Sequence, residues 1–347
     1  MADWRRVTLE SPIADAEPTG YRVLEGKLAK PKISPHDRWS FDLTAVGGLT
    51  RPGGDEDRIR VFGQSESKGP VMAVEPAARF LTRLFDFNIN LLKLDHSPEF
   101  NKQRVDVYLC ELGQAGGQQR FEDDPFETDS FGRSTKVNTI CIFQVGTLDD
   151  KVEACRELAH EYGHATLPPV KVMGGREDWA NGHLGERVYL RYLHRQLSAG
   201  KLKPIDVFSA DTAGLKSYLN RKYFPLVDRI ASKGPDFQLL KSQSDAGFEA
   251  YLAVACYTFE VAPVEVFRRS LVLNPDQSPT GYAKSLMEAL SERKVQNLHA
   301  PSDLQGKDWW IPVGKGKVTG AKVVESRGGW AKVHGATSVS IKNNPDK

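Results

Sequence analysis

Five consecutive residues, His160-Glu161-Tyr162-Gly163-His164, have side chains whose types and spacing suit metal chemistry. Residues four apart on a helix share one face, about one turn apart. Both imidazoles can therefore bind a single Zn²⁺ at about 2.0–2.1 Å. Glu161 is rotated about 100° from His160, toward the edge of that face. There it can reach a water at the metal without taking a coordination position. On a helix, this spacing is that of metal-assisted hydrolysis with the glutamate as general base. The bland alternative is a solvated His/Glu face on an amphipathic helix.

The neighbouring residues favour the first reading. Val152, Cys155, Ala159 and Tyr162 recur at spacings of three, four and three and form an opposite apolar stripe. The segment thus has a core face and a second face bearing Glu157, His160 and His164. Glu157 is read as a solvated helix acid. A catalytic zinc needs a third protein ligand and an open position. Downstream, Trp179, His183, Glu186, Leu190, Leu193 and Leu197 repeat at helical spacing. A carboxylate on such a stripe is costly unless it is paired or binds a cation. Glu186 is therefore the expected third ligand, and His183, one turn earlier, is the competitor. Arg187, Arg191 and Arg195 are expected on a solvated face.

Several elements must position these residues. Pro76 opens a helix expected to end near Leu94, with Phe80, Leu84, Phe87 and Leu91 on one face. Val105–Cys110 and Val137–Phe143 read as strands, the second as an edge strand beside a cleft. The polar segment Gly113–Arg133 reads as a surface excursion. The metal helix is expected over residues 150–166, capped by Thr147 or Asp149 and stopped by Pro168-Pro169. After the turn Gly174-Gly175 the next helix runs over 178–197, and further helices lie over 245–259, 264–271 and 282–290. Before residue 70, Tyr21–Leu24, Trp39–Leu43 and Arg58–Phe62 alternate like strands, between breaks at Pro31, Pro35 and Arg51–Gly54. From Trp309 onward four or five short strands are expected, able to pair with the N-terminal ones. Trp309 and Trp310 read as buried groups capping that β-rich tail.

With these elements in order, the chain resembles a zincin metallopeptidase, and within the zincins the gluzincin branch, over roughly residues 75–290. The resemblance implies an α+β fold. Its zincin-like domain would have a mixed sheet, a zinc-binding active-site helix and a mainly helical C-terminal half, flanked by β-rich pieces. The corresponding division is 1–73, 74–300 and 301–347. It implies His160 and His164 as ligands, Glu161 as base, one Zn²⁺ per chain and a peptide or protein substrate cut internally; the alternatives are a non-catalytic binding or structural protein on a zincin scaffold and a zinc hydrolase of non-peptide substrates. Metzincins would carry Gly at 167 and His at 170, where this chain has Leu167 and Val170. Other gluzincins place the ligand Glu where this chain has His183 or Leu184, so no subfamily is assigned. The resemblance also suggests a Tyr or His as oxyanion donor. Tyr218, Tyr223, Tyr251 and Tyr257 are read as packing groups, and none is assigned that role.

The whole chain fits this reading. Its 347 residues are 40% hydrophobic and 27% charged, an ordinary globular balance that excludes a largely disordered chain. The formal net charge of +2 gives no long-range pull toward nucleic acid, and no nucleic-acid partner is expected. No apolar run is long enough for a membrane span. The start lacks the apolar stretch of a signal peptide, and a mature exported fragment is favoured over a cytoplasmic protein. Cys110, Cys141, Cys155 and Cys256 form no CxxC pair and are expected as buried thiols.

Overall fold

The computed structural model describes residues 3–25, 32–33, 40–49, 58–64, 71–94, 104–128, 134–172, 177–301 and 306–343. Trp39, Pro31, Pro35, the break at 51–54, residues 129–133 and the turn at 174–175 lie outside them. Among the described residues this is a mixed α/β protein with eight α-helices and a mixed sheet. No helix there is long and apolar enough to cross a membrane. The chain forms two compact units, Met1–Leu167 with Tyr189–Ser217, and Pro168–Val188 with Tyr218–Lys347.

The first unit is built on β1 (Asp3–Leu9), β2 (Thr19–Glu25), β3 (Lys32–Ile33), β4 (Ser40–Leu49), β5 (Ile59–Gly63), β6 (Val105–Leu109), β7 (Gly116–Thr128) and β8 (Ser134–Phe143). The sheet order is β1-β2-β4-β5-β6-β8-β7, with β3 paired to β4. β5, β6 and β8 run parallel and the other pairs antiparallel. Every residue of β5 and β6 is buried, as central parallel strands require.

Gly113–Arg133 is not a surface excursion: it contains β7, and β7, not β8, is the edge strand of the sheet. Gly116–Glu122 is only half-buried or exposed, so it lacks the apolar alternation that marks a strand. Backbone pairing from Gly116↔Phe143 to Asp123↔Lys136 holds it instead. β1 was also not anticipated.

Helices α1 (Val74–Asp86), extended by a π-helical turn over Phe87–Leu92, and α2 (Lys151–Thr166) belong to this unit. Asp150, rather than Thr147 or Asp149, caps α2. Its carboxylate accepts from the backbone N–H of Val152 (2.8 Å) and Glu153 (3.1 Å). Leu167 is extended, as a residue before proline must be. Cys155, Leu158, Ala159 and Tyr162 form the buried face of α2.

The next helix, α3 (Asn181–Ser198), begins in the second unit and from Tyr189 onward belongs to the first. The Tyr189 ring lies 5.8 Å from that of Tyr162. Its hydroxyl donates to Asn88 Oδ1 (3.1 Å) and lies 3.0 Å from Thr166 Oγ1, at the end of α2. Asn88 Nδ2 donates to the same Thr166 oxygen (3.2 Å), closing a buried triangle between the π turn, α2 and α3. Beyond α3, Asp206 receives Arg79 (2.9 Å) and Arg83 (3.1 Å) from α1 and secures the returning chain.

The second unit continues with α4 (Thr212–Lys222, entering it at Tyr218), α5 (Phe224–Lys233), α6 (Asp245–Val261), α7 (Val264–Val272) and α8 (Pro279–Ser291). Strands β9 (Val295–His299), β10 (Trp309–Pro312), β11 (Lys317–Thr319), β12 (Lys322–Arg327), β13 (Trp330–His334) and β14 (Ser338–Lys342) follow. They form two three-stranded sheets, β10-β13-β12 and β11-β14-β9. The tail strands therefore pair with one another and with β9, not with the N-terminal strands, among the described residues. Trp309, Trp310 and Trp330 are buried, and the Tyr257 hydroxyl on α6 donates to the Trp310 carbonyl. All four cysteines are buried and none forms a disulfide.

Replacing Tyr189 by Phe removes the hydroxyl and leaves Asn88 Oδ1 without that donor. Loss of such a buried bond costs about 1–3 kcal/mol. Tyr189→Phe is expected to lower the free energy of unfolding by that amount, read as a lower urea midpoint with an unchanged slope.

Candidate metal centre

In the first unit, α2 presents His160, Glu161 and His164. His160 and Glu161 are each 5% exposed, and His164 is half-buried. The face bearing the motif is thus largely enclosed rather than solvated. The two Nε2 atoms are 3.2 Å apart, with ring centroids at 4.9 Å. Two nitrogens bound at about 2.0–2.1 Å to one tetrahedral ion stand about 3.3 Å apart. The separation of the two imidazole nitrogens is thus close to that of two nitrogens on one tetrahedral ion.

Glu161 lies against the edge strand β7. A Cβ built on Gly117 would come within 2.5 Å of Glu161 Cγ and 2.7 Å of Oε1. With glycine there, the strand backbone approaches the carboxylate without displacing the Glu161 side chain. Asn138 on β8 donates from Nδ2 to the Ala165 carbonyl in the last turn of α2 (2.9 Å), meeting one of the carbonyls a helix end leaves unpaired. Gln119 on β7 in turn donates to Asn138 Oδ1 (2.5 Å). The register of α2 on the sheet is thereby tied to both strands. Glu157 forms an ion pair with the adjacent Arg156, which also bonds Glu153 (2.6 Å).

In the second unit, the start of α3 gathers the remaining candidates. Glu186 is 3% exposed, and its Oε1 accepts a short hydrogen bond from the Tyr218 hydroxyl. His183 Nδ1 lies 3.7 Å from Glu186 Oε2, and its Nε2 lies 3.6 Å from Glu177 Oε1. Its ring also meets Phe248 edge-on at 5.2 Å. Glu177, His183 and Glu186 all belong to side-chain groups able to contribute to a metal site, as do His160 and His164.

Arg187 departs from expectation. It is buried, donating from Nη1 to the His183 carbonyl (2.9 Å) and from Nε to the Lys222 carbonyl (3.2 Å). Burial works against its charge, but the neighbouring Glu186 carboxylate and Tyr218 outweigh that, so its pKa is raised. The expected solvated arginine face does not include this residue, because Lys222 supplies an acceptor that periodicity does not reveal. Trp179 precedes α3 and is 37% exposed, so it does not extend the apolar stripe.

Sequence reasoning missed Tyr218 as the partner of Glu186 and Gly117 as the neighbour of Glu161. Neither has a local signal, since each comes from a distant segment. Tyr223, Tyr251 and Tyr257 are enclosed, as expected of packing tyrosines. Compared with known proteins, the chain has no matching family model, no matching curated protein and no matching solved structure.

The Tyr218–Glu186 bond involves a buried acid, and hydrogen bonds to charged groups contribute about 1.5–3 kcal/mol. Tyr218→Phe is expected to destabilise the fold by roughly that amount at neutral pH, measured by urea denaturation.

Proposed function

We propose that this chain is a zinc-dependent metallopeptidase, an endopeptidase of the zincin type. In this reading His160, His164 and Glu186 hold one Zn²⁺ per chain and Glu161 is the general base. The observation that carries it is the 3.2 Å approach of the two Nε2 atoms, with Glu161 one residue on, against the edge strand. Zinc held there would act as a Lewis acid toward a peptide carbonyl and lower the pKa of a nearby water toward about 7. Glu161 takes the proton as water attacks and returns it to the leaving amine. An extended substrate would add to the edge of the sheet along β7, beside Gly116 and Gly117, through backbone hydrogen bonds.

Glu186 is the preferred third ligand for two reasons. Its carboxylate is 3% exposed on an inward-facing helical stripe, where a charge needs a partner or a cation. His183, in contrast, has a carboxylate of its own unit near each ring nitrogen. That is the setting of a group that orients a ligand.

Glu161→Gln keeps shape and removes the base. It is expected to retain about one zinc per chain by elemental analysis and to lose ~10²–10⁴-fold in casein turnover. Wild-type turnover by this variant refutes the peptidase reading, and a wild-type protein that takes up no zinc refutes the metal.

A second measurement separates the ligand candidates. By chelator competition, Glu186→Ala is expected to weaken zinc binding by far more than the ~10–100-fold typical of an outer-shell group. His183→Ala should stay within that smaller range. The reverse order assigns His183.

A further inference from the structure

The second unit contains a basic cleft that plays no part in the chemistry above. One cavity of about 570 Å³ opens between the end of α5, the turn after it and β12, lined by Arg229, Lys233, Asp236, Phe237 and Arg327. A second, of about 380 Å³, adjoins it across Phe237 and is lined by Leu240, Lys241, Ala283, Lys284 and Met287. Both fall in the size range of small-ligand sites.

Five cationic side chains line the pair, against Asp236 alone among acids. Asp236 is already engaged, since its Oδ1 accepts from the backbone N–H of Gln238 (2.9 Å) and Leu239 (3.1 Å). The chain as a whole is nearly neutral at +2, so this local excess is not a by-product of composition.

Two of these cations, both arginines, are held in place. Arg327 stacks over Trp310 at 4.5 Å and donates to the Lys233 carbonyl. Arg229 donates to the Glu249 carbonyl (2.5 Å), and the same nitrogen lies 4.0 Å from the Glu249 carboxylate, which offsets part of its charge. Between them Gly234 has φ +72, and a Cβ there would lie 2.9 Å from the Trp310 ring and 3.0 Å from Arg327 Nη2. Glycine keeps the guanidinium seated. Arg327 uses one of its five N–H donors in this bond.

We infer that this cleft binds a carboxylate-bearing peptide. The carboxylate sits on Arg229, Lys233 and Arg327, and an aliphatic side chain fills the Leu240–Ala283–Met287 cavity. Two cavities divided by one phenylalanine suit neighbouring side chains of an extended peptide. The second is too aliphatic to favour a nucleobase, and the near-zero net charge gives no steering toward a polyanion. The carboxylate comes from an acidic side chain or from a chain terminus.

The test is fluorescence anisotropy at low salt with labelled Ala-Leu-Ala-Glu-Ala, amide-capped, and with Ala-Leu-Ala-Gln-Ala bearing a free C-terminus. The capped, fully neutral Gln peptide and a 20-nucleotide oligothymidine serve as controls, and probe integrity is checked by mass spectrometry. Saturable binding of at least one carboxylate peptide is expected, tenfold or more tighter than the neutral control. The tighter of the two identifies the source.

Lys233→Glu and Lys284→Glu, both at exposed positions, should each weaken binding at least fivefold. Ala283→Trp, which fills the aliphatic cavity, should weaken binding of these Leu-bearing peptides at least fivefold. Glu161→Gln should bind as wild type, so failure of the peptidase reading leaves this result untouched. No saturable binding, equal binding of the neutral peptide, preference for oligothymidine, or indifference to both charge reversals overturns the proposal.

Discussion

The hydroxyl of Tyr189 holds together the part of the first unit on which the candidate chemistry rests. It bonds Asn88, below the end of α1, and contacts Thr166, in the last turn of α2. All three groups are buried, so each polar atom must find a partner within the fold. A small rotation of α2 would break the contact at Thr166 and also the Asn138 bond to Ala165. The helix is therefore fixed at its carboxyl end by two independent bonds, one from the helical side and one from the sheet. His160 and His164 lie within the two turns before those anchors. Their backbone positions are consequently those of a clamped helix end.

Burial of charge is the second constraint. Glu161 and Glu186 are both nearly inaccessible, and a buried carboxylate is tolerated only with compensating partners. Glu186 has the Tyr218 hydroxyl and the raised-pKa Arg187 within its own unit. Arg187 in turn donates to two backbone carbonyls, those of Lys222 and His183. Glu161 is enclosed differently, with the side chain lying under the backbone of Gly117. The absence of a side chain at 117 is what makes room for it.

Much of the local structure was legible in residue order. The apolar positions of α2, the Pro168-Pro169 stop, the burial of Glu186 on a helical stripe and the β character of the tail follow from periodicity and backbone chemistry. β7 was not legible, because a half-exposed edge strand carries little apolar alternation and is held by backbone bonds that any residue but proline can make. The role of Asp150 was displaced by one residue, since Thr147, Asp149 and Asp150 offer equivalent capping chemistry and only the backbone angles choose between them.

The sequence by itself determined that His160, Glu161 and His164 share one helical surface, because helical geometry leaves side chains four apart no other arrangement. It also determined that Glu186 belongs on an inward stripe, because the surrounding spacing is apolar. Only the tertiary structure decided which strand lies beside Glu161, that Tyr218 bonds Glu186, and that Arg187 is enclosed rather than solvated. Those facts depend on segments tens of residues apart meeting in space. Local periodicity is a property of one segment and is blind to the partner another supplies.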